Sequence, residues 1–145
     1  MVVGRRAKDP LLDAADDYLA RLQRYAGAEL LRVRDSDAQG ERDGILAKVG
    51  TGDLLVALDE RGTELDTLGL ARRVRAWQGR TRVVLAIGGA EGLHPDVLGR
   101  AGERLALSRF TLPHRLALVV ALEQLYRAHT VVRGEAYHRE GRAPA

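Results

Sequence analysis

The sequence predicts an α/β fold in which a parallel sheet carries helices on both faces. Two short segments, Leu54-Leu55-Val56-Ala57-Leu58 and Val83-Val84-Leu85-Ala86-Ile87, are apolar at every position, as strands covered on both faces must be. Stretches with apolar residues three and four apart flank and separate them, so strands and helices alternate along the chain. A length of 145 residues, 46% hydrophobic and 30% charged, is that of one globular domain. Such a domain buries roughly two thirds of its unfolded surface and needs no disulfide or structural metal.

Each element has its own signal. Met1 to Gly4 is a stub of apolar strand. Asp9-Pro10 supplies an N-cap with proline at the first helical position, and Leu11, Leu12, Ala15, Leu19 and Leu22 then give one apolar helix face. Glu29 to Val33 reads as a short strand, followed by a polar stretch that turns helical around Glu41 to Val49. Gly50-Thr51-Gly52-Asp53 turns the chain into the first central strand, ending at Leu58. Thr67 to Gln78 is a helix with Leu70, Val74 and Trp77 inward, and Val83 to Ile87 is the second buried strand. A helix from Pro95 to Arg104 leads to a strand at Leu105-Ala106-Leu107, and Arg115 to Val131 is the last helix. With no repeat or linker, residues 1–145 read as a single domain ending in a short flexible tail, 141–145.

Composition excludes several kinds of chemistry. The absence of Cys rules out disulfides, thiolate catalysis and cysteine-ligated zinc. Leu116 to Leu122, among the longest apolar runs, falls far short of the ~18 residues of a membrane span, and charges at Arg5, Arg6, Lys8, Asp9 and Asp13 interrupt any signal-peptide pattern. The expected address is the cytoplasm, with no membrane partner. His94, His114, His129 and His138 show no i, i+4 pair, so no metal is expected. The net charge is only +3, but residues 100–145 hold 8 Arg against 4 acids, pointing to a polyanion such as RNA.

In open parallel sheets ligands bind beyond the carboxyl ends of the strands. Three segments stand there: Leu58-Asp59-Glu60-Arg61-Gly62, Gly88-Gly89-Ala90-Glu91-Gly92, and Ser108-Arg109-Phe110-Thr111-Leu112-Pro113-His114. The glycine segment admits close backbone approach but is neither a dinucleotide fingerprint nor a P-loop. No G-x-S-x-G accompanies Ser108, so hydrolase chemistry has no support. Trp77 and Tyr18 read as packing residues. Tyr137-His138-Arg139-Glu140 sets side by side the residue types that stack on a base and hold phosphate or an imide edge, although for this segment alone the first reading is that Tyr137 anchors the terminus against the sheet.

In order, Leu58-Asp59-Glu60-Arg61-Gly62, Ile87-Gly88-Gly89-Ala90-Glu91-Gly92-Leu93, Leu107-Ser108-x-x-Thr111-Leu112-Pro113-His114, Leu125-Tyr126-Arg127-Ala128 and Tyr137-His138-Arg139-Glu140 resemble the ribosomal RNA large subunit methyltransferase H family, of the SPOUT class. The resemblance spans essentially the whole chain. It implies a SPOUT-type sheet with a C-terminal deep trefoil knot, which ordinary topology rules would not suggest. It also implies a homodimer, S-adenosylmethionine as methyl donor, and transfer to N3 of a pseudouridine in helix 69 of 23S rRNA within the assembled ribosome.

Carried onto this sequence, the resemblance gives donor-binding positions Leu58, Gly89, Leu107, Ser108, Arg109, Phe110, Thr111 and Leu112. His138 is the candidate for assisting loss of the imide proton or orienting the base, and Arg139 for holding phosphate or stabilising the developing anion. Glu91 is an alternative acid–base group, though capping of the following helix is the preferred reading. Two other functions compete: a catalytically silent dimer that binds RNA or the ribosome, and a SPOUT methyltransferase acting on another nucleotide.

Overall fold

The computed structural model describes residues 1–3, 9–80, 82–89 and 91–139. Glu140, the 141–145 tail and Ala90 lie outside the described residues. The elements in chain order are β1 (Val2–Val3), α1 (Pro10–Leu22), β2 (Arg32–Val33), α2 (Ala38–Ala47), β3 (Leu54–Glu64), α3 (Thr67–Trp77), β4 (Val83–Ile87), α4 (Pro95–Arg100), β5 (Glu103–Ala106) and α5 (His114–Val132). The strands form one sheet in the order β2-β1-β4-β3-β5, and every pairing is parallel. β3 and β4, the two apolar runs, lie side by side with Leu54 opposite Val83 and Leu58 opposite Ile87.

Both faces of these strands are covered, which is why alternation is absent from their sequences. Leu55, Val84 and Ala86 point to one face and pack with Ile45 of α2 and Val97 of α4. Leu54 and Val56 point to the other, against Val74 and Trp77 of α3 and Ala128 of α5. Leu12, Ala15 and Leu22 of α1 meet Leu118, Ala121 and Leu122 of α5 beside Ile87. The last helix therefore lies between α1 and α3 and joins two parts of the core. Each fully buried aliphatic side chain, such as Leu55, contributes roughly 1.5–3 kcal/mol.

Local signals set most boundaries. The Asp9 carboxylate accepts from the Leu11 N–H, with Pro10 at the first position. Asp37 and Asp66 cap α2 and α3 through the amides of Gly40 and Gly69. The indole of Trp77 donates to Glu103 at 2.7 Å, which satisfies its one polar atom on burial.

Four expectations need correction. The strand expected from Glu29 is only Arg32–Val33, because its ladder partner β1 is itself two residues long. The second helix begins at Ala38 rather than Glu41, since Asp37 is the cap. The third strand does not stop at Leu58: after a register shift between Leu58 and Thr63, Thr63 and Glu64 pair again with Leu105 and Ala106. Finally, the fourth helix ends at Arg100 and the last strand starts at Glu103, not Leu105. There the Gly102 amide bonds to the Leu55 carbonyl at 2.9 Å, and a side chain at Gly102 would meet Leu54 at 2.6 Å. Contact with β3 thus turns the chain out of the helix.

Candidate active site

Beyond the carboxyl ends of β4 and β5, and beside the register shift of β3 after Leu58, the chain forms a cleft of about 680 Å³, within the range of small-molecule sites. Its walls come from three separate segments: Leu58 to Arg61; Gly88, Gly89 and Glu91 to Leu93; and Leu107, Ser108 and Phe110 to His114. Leu58, Ile87, Leu107, Leu112 and Pro113 supply apolar surface, while Asp59, Glu60 and Glu91 supply carboxylates.

Each segment is held by local chemistry. Past β4, Gly89 and Gly92 form an isolated bridge, the Gly92 amide donating to the Gly89 carbonyl at 3.0 Å. Gly92 has φ of 77°, and a Cβ at Gly88 would come within 2.5 Å of the Gly92 carbonyl carbon. This turn therefore accepts no side chain at Gly88. In the third segment the Phe110 amide bonds to Ser108 Oγ at 2.9 Å, and Thr111 Oγ1 donates to Glu60 at 3.3 Å. Arg109 turns outward to pair with Glu64 on the extension of β3. Phe110 stands at the rim, 83% exposed, with its side chain projecting from the loop.

The structure brings Leu58, Gly89, Leu107, Ser108, Phe110, Thr111 and Leu112 around this one cleft. Arg109, expected with them, does not line it. Glu91 lines the cleft but does not cap the following helix: His94 is the N-cap, its Nδ1 accepting from the Asp96 amide at 3.0 Å. His138 and Arg139 do not line the cleft either.

Tyr137 and His138 instead pack on α5 of their own chain, so Tyr137 anchors against a helix rather than the sheet. Its ring meets Tyr126 edge-on with centroids 4.5 Å apart, and the Arg127 guanidinium lies 4.6 Å from the Tyr137 centroid. The Tyr137 hydroxyl donates to Glu123 Oε1 at 3.3 Å. Burial, with the Glu123 carboxylate second, pushes the Tyr137 phenol up from its ordinary value. Arg127 binds Glu123 through Nε at 2.8 Å and its NH2 nitrogen at 2.5 Å, and its NH1 reaches His138 Nδ1 at 3.4 Å. Arg139 is exposed. The sequence reading assigned no role to Glu123 or to the carboxylates of β3. The i, i+4 spacing of Glu123 and Arg127 was the available signal.

A family model described as "Predicted SPOUT methyltransferase" matches residues 1–138. The protein called Ribosomal RNA large subunit methyltransferase H from Anaeromyxobacter dehalogenans (strain 2CP-1 / ATCC BAA-258) is 49% identical, the match covering 96% of this chain and 97% of that one. Proteins of the same name from Verminephrobacter eiseniae (strain EF01-2) and Sorangium cellulosum (strain So ce56) are 44% and 41% identical, over 97% and 93% of this chain and 97% and 94% of theirs. A parallel α/β sheet with a ligand-sized cleft at its carboxyl ends, and matches of this extent, have one reading: the chain belongs to the SPOUT methyltransferases, in the ribosomal RNA large subunit methyltransferase H family.

Proposed function

We propose that the chain is a single-domain, homodimeric, S-adenosylmethionine-dependent methyltransferase that modifies N3 of a pseudouridine in helix 69 of 23S rRNA, on the assembled ribosome. In this reading it works in the cytoplasm, and the segment of β3 after Leu58 and the loops after β4 and β5 belong to a C-terminal trefoil knot. The observation that carries the proposal is the convergence of Leu58, Gly89, Leu107, Ser108, Phe110, Thr111 and Leu112 on one cleft, in a chain whose relatives are named for methylation of large-subunit rRNA.

The lining suits the donor. Aliphatic side chains of Leu58 and Leu112 offer faces for an adenine ring, and Gly88, Gly89 and Gly92 expose backbone to a ligand's polar edges. Asp59, Glu60 and Glu91 put negative charge around a cationic molecule. When bound, S-adenosylmethionine supplies a methyl group activated by a sulfonium. As the bond from N3 to the methyl carbon forms, the bond from that carbon to sulfur breaks, and the N3 proton passes to water. The cleft residues hold the methyl in line with its acceptor, and alignment of this kind supplies much of the acceleration in a displacement.

His138 and Arg139 complete the site in this reading by orienting the base and stabilising the imide as it loses its proton. Both lie outside the cleft of their own chain, which favours a composite site in which one subunit's tail serves its partner's cleft. Ribosomes lacking the modification, incubated with labelled donor, should accept one methyl group, and nucleoside mapping should find it on N3 of a helix 69 pseudouridine. A product elsewhere would overturn the substrate assignment, and absence of donor binding in calorimetry would overturn the enzyme assignment. A His138→Ala subunit paired with a Gly88→Ala subunit should recover part of the activity that either homodimer lacks. No recovery in verified heterodimers would refute the composite site.

A further inference from the structure

The Leu125-Tyr126-Arg127-Ala128 segment has no part in the cleft, yet Arg127 is where the tail is fastened. Its guanidinium satisfies three demands at once: it pairs with Glu123, lies over the Tyr137 ring and reaches Nδ1 of His138. A guanidinium has five donors and no acceptor, and it does not give up its proton in proteins. An imidazole nitrogen contacted by it must therefore offer a lone pair. With Nδ1 accepting, the ring proton sits on Nε2, the nitrogen on the opposite side of the ring.

We propose that Arg127 is a positioning residue that holds His138 in the Nε2–H tautomer, so that the tail offers the target base a hydrogen-bond donor rather than a proton acceptor. This rests on the reading of His138 given above and assigns its chemistry. A donor of this kind would bind a carbonyl oxygen flanking the ring nitrogen, where negative charge gathers as the imide proton leaves for water. Glu123 has a supporting part. It engages two nitrogens of Arg127, fixing the plane of the guanidinium, and accepts from the Tyr137 hydroxyl, fixing the backbone that carries His138. Glu123 and Arg127 lie one helical turn apart on α5, and Tyr137 and His138 follow within six residues of its end, so the register of the helix sets where the ring stands.

Two measurements test this separately from the enzyme assignment. Nitrogen-15 spectra of histidine-labelled protein at about pH 8, above the ordinary histidine range, should show His138 as a single Nε2–H tautomer. His138→Gln assigns the signal. Arg127→Met should give a tautomer mixture, and Glu123→Gln a partial one, with the melting temperature followed in each. A mixture in the parent protein, or no change in the Arg127 variant, overturns the positioning role. Should Arg127→Met not fold, Arg127→Lys keeps the charge while losing the planar fork, and it should show the same mixture.

In the methylation assay, His138→Gln keeps a donor near the Nε2 position and cannot act as a base at neutral pH. It should retain activity within about tenfold of the parent, whereas His138→Ala and Arg127→Met should lose on the order of a hundredfold in kcat with KM for the donor unchanged. Glutamine as inactive as alanine would overturn the donor role. A parent protein that methylates nothing would overturn the proposed function instead, and the spectra would still decide what Arg127 does.

Discussion

The cleft at the ends of β4 and β5 is walled by backbone turns, aliphatic side chains and carboxylates, whereas the junction of α5 with the segment at Tyr137 is walled by rings and guanidinium groups. All four tyrosines of the chain meet at that junction: Tyr18, Tyr25 and Tyr137 each lie within 6.5 Å of Tyr126, centroid to centroid. Arg21, Arg127 and Arg133 lie over their faces. The contrast teaches how each region would respond to change. A turn with no room for a Cβ fails outright when one is added, while a cluster of half-buried rings loses stability in steps.

The largest expected effect is therefore in the cleft. Gly88→Ala would place a methyl 2.5 Å from backbone, costing about 1–3 kcal/mol of stability and on the order of a hundredfold in donor affinity by calorimetry. Unchanged donor binding in a folded variant would remove Gly88 from the site.

Acid is expected to act on the helix side, where Met1 and His129 both line a groove of about 570 Å³ beside α5. Burial first, and Arg82 second, depress the Met1 ammonium from 8.0 to about 6, and its N–H donates to the Leu85 carbonyl. Between those values the unfolded chain binds more protons than the folded one. Stability is thus fully present above pH 8, declines as the pH falls, and levels off below pH 6, the total loss being roughly 2–3 kcal/mol. His129, depressed by burial and then by Arg133, adds a loss of the same sign near and below its ordinary value of 6.5. Denaturant titrations across this range should give that slope, and His129→Gln should remove its lower part. A flat profile would contradict both shifts.

Tyr126→Ala removes the ring at the centre of the cluster and should cost about 2 kcal/mol of stability with donor affinity unchanged. A matching fall in donor affinity would show that the two regions are not independent. Tyr137→Phe, the smallest change, loses one hydrogen bond to Glu123, worth about 0.5–1 kcal/mol. Thermal unfolding measures it.

Much of this arrangement was legible beforehand because its causes are local. Asp9-Pro10 announces its helix whatever packs on it, and an unbroken apolar run such as Val83 to Ile87 has few alternatives to a covered strand. The three cleft segments could be named because the ends of apolar runs can be read from the pattern and ligands gather beyond covered strands. Apart from the start of α2, where the local Asp37 cap decides, the misplaced boundaries share one cause. Glu60 to Glu64 looks like a polar loop, and only re-pairing with Leu105 and Ala106 makes it a strand. Gly102 ends a helix because it must approach Leu54 and Leu55.

The amino-acid order by itself determined the alternation of elements, the lack of thiol chemistry and the residues offered at each strand end, since periodicity, composition and capping act within a few positions of one another. Tertiary structure decided which of those residues meet. It gathered three segments into one cleft, turned Arg109 away toward Glu64, and set Arg127 against His138. Contacts of that kind depend on where helices and strands come to rest in space, and no spacing along the chain encodes the distance between groups on separately packed elements.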